Sequence, residues 1–352
     1  MLSYVAGALR LVMLALCAML LASNAAYAQK WSTLAPFPEG SEEVYGISSG
    51  GKLYVFGGLG PAWTPKGLVY EYDPAGDTWT KKKNMPLLSH HVALAEINGK
   101  IYVIGGFIKP AKGPTAWQPV DNLWEYDPAA DTWKALAPMP SKRGSTSAAV
   151  VDGKIYVIGG AGVHPGSKEV SLHPARPHRA VGTNEVYDPA TNTWESRSTM
   201  PTARNHAASG AVNGKIYVIG GRIGAAFITR ASNVDIVEEY DPATDQWGSL
   251  KAPMPGGPRS ASAWGTYQGR IYVAGGELRT SRLSAAYREF EAYDPKANRW
   301  ITMPPMVFAR HGLAGDFIGN RFHTVSGNAQ SGGAPGAHVE SDAHEVFEVP
   351  SR

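Results

Sequence analysis

Four arginines share one column of this sequence. Arg143, Arg204, Arg259 and Arg310 each stand sixteen residues before a recurring Gly-Gly or Ser-Gly pair, and Ser41 and Ser89 hold the same place in two further copies. The two positions after the column include Glu42, Glu43, His90, His91, Asn205, His206 and His311. Guanidinium groups repeated at one register can form a ring, which suits a carboxylate, sulfate or phosphate through charge-assisted hydrogen bonds. The expected ligand-binding set is therefore Arg143, Arg204, Arg259 and Arg310, with His90, His206 and His311. The structural alternative is that each guanidinium bonds backbone carbonyls of a neighbouring repeat.

Other residues could also do chemistry. Gly276-Glu277-Leu278-Arg279-Thr280-Ser281-Arg282 places a carboxylate beside two guanidinium groups, so Glu277, Arg279 and Arg282 are the candidates for catalysis. His164, His173 and His178 are numerous enough for zinc or copper. Their spacing is irregular and no cysteine assists, so no metal and no cofactor are expected. Trp63 and Trp117 can stack on a sugar or pack onto their own unit, and packing is the expectation. No paired carboxylates at fixed spacing, nucleophile motif or phosphate loop is present.

The elements that must position these residues are repeats. Lys52-Leu-Tyr-Val-Phe-Gly-Gly58 returns as Lys100-Ile-Tyr-Val-Ile-Gly-Gly106, Lys154-Ile-Tyr-Val-Ile-Gly-Gly160, Lys215-Ile-Tyr-Val-Ile-Gly-Gly221 and Arg270-Ile-Tyr-Val-Ala-Gly-Gly276. A worn sixth copy is Arg321-Phe-His-Thr-Val-Ser-Gly327. Tyr-Asp-Pro follows the first five, beginning at Tyr72, Tyr126, Tyr187, Tyr240 and Tyr293. A tryptophan then follows each: Trp79, Trp133, Trp194, Trp247 and Trp300. Successive glycine pairs lie 48, 54, 61, 55 and 51 residues apart. The apolar runs are short and β-rich, and Asn98-Gly99, Asp152-Gly153 and Asn213-Gly214 between them suit type I′ hairpins. The glycine pairs mark close backbone approach, where a side chain would strike a neighbouring unit.

These motifs resemble the kelch family from residue 29 onward. The resemblance implies an all-β fold: a six-bladed β-propeller whose blades are four-stranded antiparallel sheets around a central channel. The sixth unit stops after Glu345-Val-Phe-Glu-Val-Pro350 without a tryptophan, whereas Trp31 is a tryptophan without an upstream repeat. The ring is therefore expected to close through the N-terminal strand around Trp31. With strands a to d running from channel to rim, the a–b and c–d turns share one face. The d–a links and the b–c loops (59–68, 107–122, 161–184, 222–235, 277–289 and 328–344) share the other. The b–c loops vary in length, and variable loops on a rigid scaffold tend to carry function. They hold 11 Lys and Arg against 7 Asp and Glu. Adding the four arginines, Glu42 and Glu43 gives this face about six net positive charges.

Residues 1–28 read as a secretory signal peptide: Arg10, an apolar run from Leu11 to Ala22, and Ala26-Tyr27-Ala28. Cleavage is expected after Ala28. That leaves a single propeller domain over 29–352, periplasmic or extracellular, with no membrane span. Cys17 is the only cysteine, so the cleaved chain holds no thiolate and no disulfide. Its charge, 32 Lys and Arg against 30 Asp and Glu once Arg10 is removed, argues against a nucleic-acid partner. Kelch relatives include copper-radical oxidases of galactose, which need a cysteine cross-linked to tyrosine, so the lack of a cysteine excludes that activity. The Glu277–Arg282 stretch is loosely similar to the glutamate and arginine of the bacterial sialic-acid mutarotase, another exported six-bladed relative. The expected function is a binding module for an acidic glycan or acidic protein segment on the b–c loop face, rather than an enzyme. The alternative is a carbohydrate-active enzyme such as a sialic-acid mutarotase (epimerase).

Overall fold

The computed structural model describes residues 30–113, 116–176, 178–332 and 339–350. The expected signal peptide, residues 1–28, lies outside them. Blade 1 comprises Glu42–Ser49, Lys52–Gly60, Thr64–Asp73 and Thr78–Lys81, paired antiparallel in that order. Five further sheets repeat the plan, and each innermost strand packs against that of the next blade until the last meets the first. The single helical element among the described residues is one short 3₁₀ turn, Pro61–Trp63. No helix of the described residues is long and apolar enough to cross a membrane.

Blade 6 is made from both ends of the chain. Ala314–Ile318, Arg321–Val325 and His344–Glu348 supply three strands, and Trp31–Thr33 supplies the outermost. Trp31 pairs with Phe347 across this ladder, as expected. Its ring meets Phe290 of blade 5 at 5.1 Å and Phe347 at 5.5 Å.

The repeated aromatics are core. Tyr72, Tyr126, Tyr187, Tyr240 and Tyr293 are buried, and each ring lies 4.7–5.2 Å from the tryptophan of the following outer strand. At the rim each blade grips the chain leaving the blade before it. Trp79 Nε1 donates to Ala35 O at 3.0 Å, and Ala35 N donates to Asp77 Oδ1 at 2.9 Å. The same pair of bonds holds Lys83, Ala137, Ser198 and Ala252. The sixth joint differs: Trp31 Nε1 donates to Pro304 O at 2.8 Å, and a proline has no N–H for a second bond.

Nearer the axis the blades are stitched through the glycine pairs. Gly106, Gly160, Gly221 and Gly276 donate their N–H to the carbonyls of Arg143, Arg204, Arg259 and Arg310 of the next blade at 2.8–3.1 Å. The glycine before each has a positive φ, and a Cβ there would stand 2.5–2.8 Å from the same carbonyl. Only glycine fits both constraints.

Candidate functional site

The arginines of the expected ring are buried and paired with glutamates rather than open at a channel mouth. Arg143, Arg204, Arg259 and Arg310 are at most 1% exposed, and each guanidinium pairs with a glutamate of its own blade, although Arg259 Nε and Nη1 and Arg310 Nε are left without a hydrogen-bond partner among the described residues. Arg143 donates to Gly159 O at 2.6 Å, Val157 O at 2.9 Å and Glu185 at 2.8 Å. Arg204 bonds Gly220 O, Val218 O and Glu238, while Arg310 bonds Ser326 O, Ala343 O and Glu345. Arg259 pairs with Glu291 at 2.7 Å. Burial lowers the pKa of Arg143, Arg204 and Arg310, and the paired glutamates oppose that shift. These are clamps, since a buried guanidinium needs a counter-charge and acceptors for its donors. The carbonyls they bond belong to their own blade, not to the neighbour. The sequence carried a signal for this. The four blades with arginine have glutamate two residues before the third-strand Tyr or Phe, whereas the two blades with Ser41 and Ser89 have Tyr70 and Trp124 there.

One register further along, the side chains reach the axis. Glu43, His91, Ser145, His206, Ala261 and Gly312 all adopt φ of 54–59°. Backbone bonds run round them: Ser145 N to His91 O, His206 N to Ser145 O, Ala261 N to His206 O and Gly312 N to Ala261 O, at 2.8–3.0 Å. This left-handed register belongs to the blade start and recurs at plain Ala261. It turns Glu43, His91 and His206 together, so that one donor atom of each lies within 4.8 Å of the others. His91 Nε2 stands 3.2 Å from Glu43 Oε2, and Tyr45 donates its hydroxyl to the same oxygen at 3.1 Å.

The protonation of this cluster follows from its partners. Asn205 Nδ2 donates to Arg222 O and Ala225 O, which leaves its Oδ1 to accept from His206 Nδ1 at 2.5 Å. His206 thus carries its proton on Nδ1 and turns Nε2 inward, beside Ser145 Oγ at 3.3 Å. Burial, with Arg222 and His91 nearby, pushes His206 well below the usual imidazole range. Burial and His91 do the same to His90. Burial alone would raise Glu43, but its contact with His91 overrides this and holds it well below the usual carboxylate range, with smaller help from His206 and His311. Sequence reasoning singled out His90 and His206 but not Glu43 and His91 as site residues. The left-handed backbone that aims them has no local signature.

The b–c loops roof this cluster. Trp117 lies 4.5 Å from the His91 ring and 4.2 Å from Phe227, with Phe107, Leu172 and Trp63 packed around them. Trp117 and Trp63 pack rather than lie open, but across blades instead of onto their own units: Trp63 meets Trp117 and Phe227, and Trp117 meets Phe227. Beside them Glu277 is buried and accepts from Arg222, from Ser331 Oγ at 3.0 Å and from Gly332 N at 2.5 Å, with His311 Nε2 at 3.7 Å. Arg279 donates to Gly332 O at 3.3 Å, while Arg282 is exposed at the loop tip. Glu277 is thus spoken for by a loop-to-loop network, and Arg282 stands apart from it. The three loop histidines do not converge: His164 is exposed, and His178 is buried and accepts from Ala226 N at 3.0 Å.

Two surfaces remain open. The channel, of about 340 Å³, is lined by the innermost strands, including Tyr45, Ser48, Glu96, Trp264 and Asp316. Asp316 accepts from Ser48 N at 2.7 Å across the blade 6–blade 1 seam. Burial, aided by Glu96, raises its pKa to about 6. The second surface is the loop face. Lys109, Lys112, Lys168, Arg176, Arg179, Arg230, Arg282 and Arg288 are exposed there, whereas Asp342 is the one fully exposed acid among the described b–c loop residues. Every exposed large hydrophobic of the described residues lies on this face too: Val170, Leu283 and Val339 on b–c loops, and Leu88, Leu250, Val307 and Phe308 on d–a links.

Comparison with known proteins agrees with this architecture. Residues 25–229 match the Attractin/LZTR1 beta-propeller family and residues 258–307 the Kelch motif. The chain is similar to Kelch-like protein terF of Aspergillus terreus, 30% identical over 299 residues, covering 80% of this chain and 61% of that protein. It is also similar to Kelch repeat and BTB domain-containing protein 12 of Homo sapiens, 28% identical over 238 residues, covering 66% of this chain and 37% of that one. The chain therefore spans under two thirds of these relatives' length. The solved structure of YjhT superposes with a TM-score of 0.71 at 19% identity, covering 89% of this chain and 96% of that one.

Proposed function

This chain belongs to the kelch-repeat family of β-propellers, and from that premise we propose that it is an exported protein-binding module whose loop face takes an acidic, partly apolar polypeptide segment. Kelch propellers generally bind proteins. The observation that carries the finer reading is the coincidence, on one face, of every exposed large hydrophobic with eight exposed cations among the described residues. Apolar groups ringed by charge mark interaction surfaces, and a glycan offers little to Val170, Leu283, Val307 or Phe308. The charge comes from loop-tip lysines and arginines, not from the buried arginine column. Export rests on the reading of residues 1–28.

A labelled Glu- and Leu-rich peptide tests the proposal. It should bind in low salt and weaken as salt rises. The triple reversal Lys109→Glu, Arg179→Glu, Arg282→Glu should lower affinity by roughly tenfold or more, since rim charges act by steering and complementarity. Lys296→Glu, on the opposite face, should leave it unchanged. Equal loss from both variants, or no binding, overturns the reading. Acceleration of sialic-acid mutarotation, followed by proton NMR, would replace it with the enzyme alternative.

A further inference from the structure

We propose that Glu43, His91 and His206 hold one divalent first-row transition metal ion on the propeller axis, tying blades 1, 2 and 4 together. The donor set is two imidazoles and one carboxylate, which suits zinc, cobalt or iron(II). Their donor atoms already lie within 4.8 Å of one another. Around an ion at 2.0–2.2 Å such atoms stand about 3.0–3.5 Å apart, so closure asks for side-chain shifts on the order of 1 Å.

Three further features fit a ligand there. His91 is fully buried, and its Nε2 makes no hydrogen bond of good geometry although it faces Glu43 Oε2 at 3.2 Å. Its Nδ1 is engaged by His90 Nδ1. When His91 carries its proton on Nδ1, toward His90, its Nε2 turns a lone pair to the same point as the Glu43 carboxylate, as two ligands of one ion do. Second, Asn205 fixes His206 with Nδ1–H outward and the Nε2 lone pair inward, as outer-shell carbonyls do for metal-ligating histidines. Third, Tyr45 orients Glu43, and Trp117 with Phe107 excludes water from above. The three ligands come from three separate blades, so the site exists only when the ring is closed. Binding of the metal is thus coupled to folding.

The intact chain is unfolded in guanidinium with a chelator and refolded with or without Co²⁺ or Zn²⁺, which bypasses the buried entrance. One equivalent should be retained after gel filtration, with Co²⁺ giving visible ligand-field bands and both ions raising the melting temperature. Glu43→Gln keeps the size of the side chain and an acceptor for Tyr45, and should abolish retention. Asn205→Ala should weaken it roughly tenfold to a hundredfold. His164→Ala with His173→Ala should change nothing. Wild-type protein that refolds with less than a tenth of an equivalent overturns the site, even if the variants fail to fold. So does retention that survives Glu43→Gln or vanishes in the loop-histidine variant.

Discussion

The arginine column shows how a side chain's meaning depends on what stands across from it. The column itself was legible, because repeats align on their glycine pairs. Its role was not, because the partners Glu185, Glu238, Glu291 and Glu345 lie 32–42 residues away by way of loops of unequal length. Arg204→Ala leaves Glu238 buried and unpaired. It should cost about 3–5 kcal/mol in denaturant unfolding, whereas Arg204→Met with Glu238→Leu should come within about 1 kcal/mol of wild type or exceed it. An equal cost for both would show that the clamp acts through its carbonyl bonds alone. Asp316 sits the other way round, with its folded pKa raised to about 6 against an ordinary 3.8. The folded carboxyl takes up its proton before the unfolded one does as pH falls from about 6 to about 4, so ionised Asp316 opposes folding above that window. Asp316→Asn keeps an acceptor for Ser48 N. It should therefore stabilise at pH 7 by about 1–2 kcal/mol, a figure reduced for water in the channel, and the gain should vanish near pH 4. A gain independent of pH refutes this account.

At the scale of elements, strands were easier to read than loops. A strand announces itself through alternation and a bounding turn within about ten residues. The roof over the axis joins Trp63, Trp117, Leu172 and Phe227, residues from four blades with no shared period, and nothing local foretells it. The worn strand Arg321–Val325 has His323 where the other second strands have tyrosine. His323 Nδ1 lies 2.9 Å from His344 Nε2 on the third strand, and His344 packs on Tyr72 and Trp79 of blade 1. Burial depresses the two pKa values to about 3 and about 4. Below pH 6.5 the unfolded imidazoles gain charge while the folded ones stay neutral, so stability should fall steadily from about pH 6.5 to pH 4. Melting curves of wild type and His323→Tyr across that range should diverge, with the shallower slope in the variant. Parallel slopes would show that the pair titrates alike in both states.

The whole molecule is a ring, and its closure was legible from one surplus tryptophan at the start and one missing at the end. Trp31 buries its ring between blades 5 and 6, so Trp31→Ala should cost about 3–5 kcal/mol, within the range for large aromatics in a core. Deleting residues 29–36 should cost more, since Ala35 also feeds the grip of blade 1. A deletion that melts with the intact chain would mean that the circle is held elsewhere.

The odd joint at Pro304 has a consequence for assembly. Five of the six hooks are interchangeable: any blade bringing a tryptophan and an Asp or Asn finds a C=O and an N–H waiting on its neighbour. Such uniformity invites mistakes, because a blade from a second molecule in a crowded refolding mixture carries the same hook. At Pro304 the waiting N–H is absent, so an intruding ordinary blade leaves its Asp or Asn short of one donor. Only a strand arriving without that turn residue loses nothing, and the segment that begins at Trp31 is such a strand. One imino acid thus acts as a lock cut for a single key, telling the chain where its circle ends and favouring its own beginning over a stranger's middle.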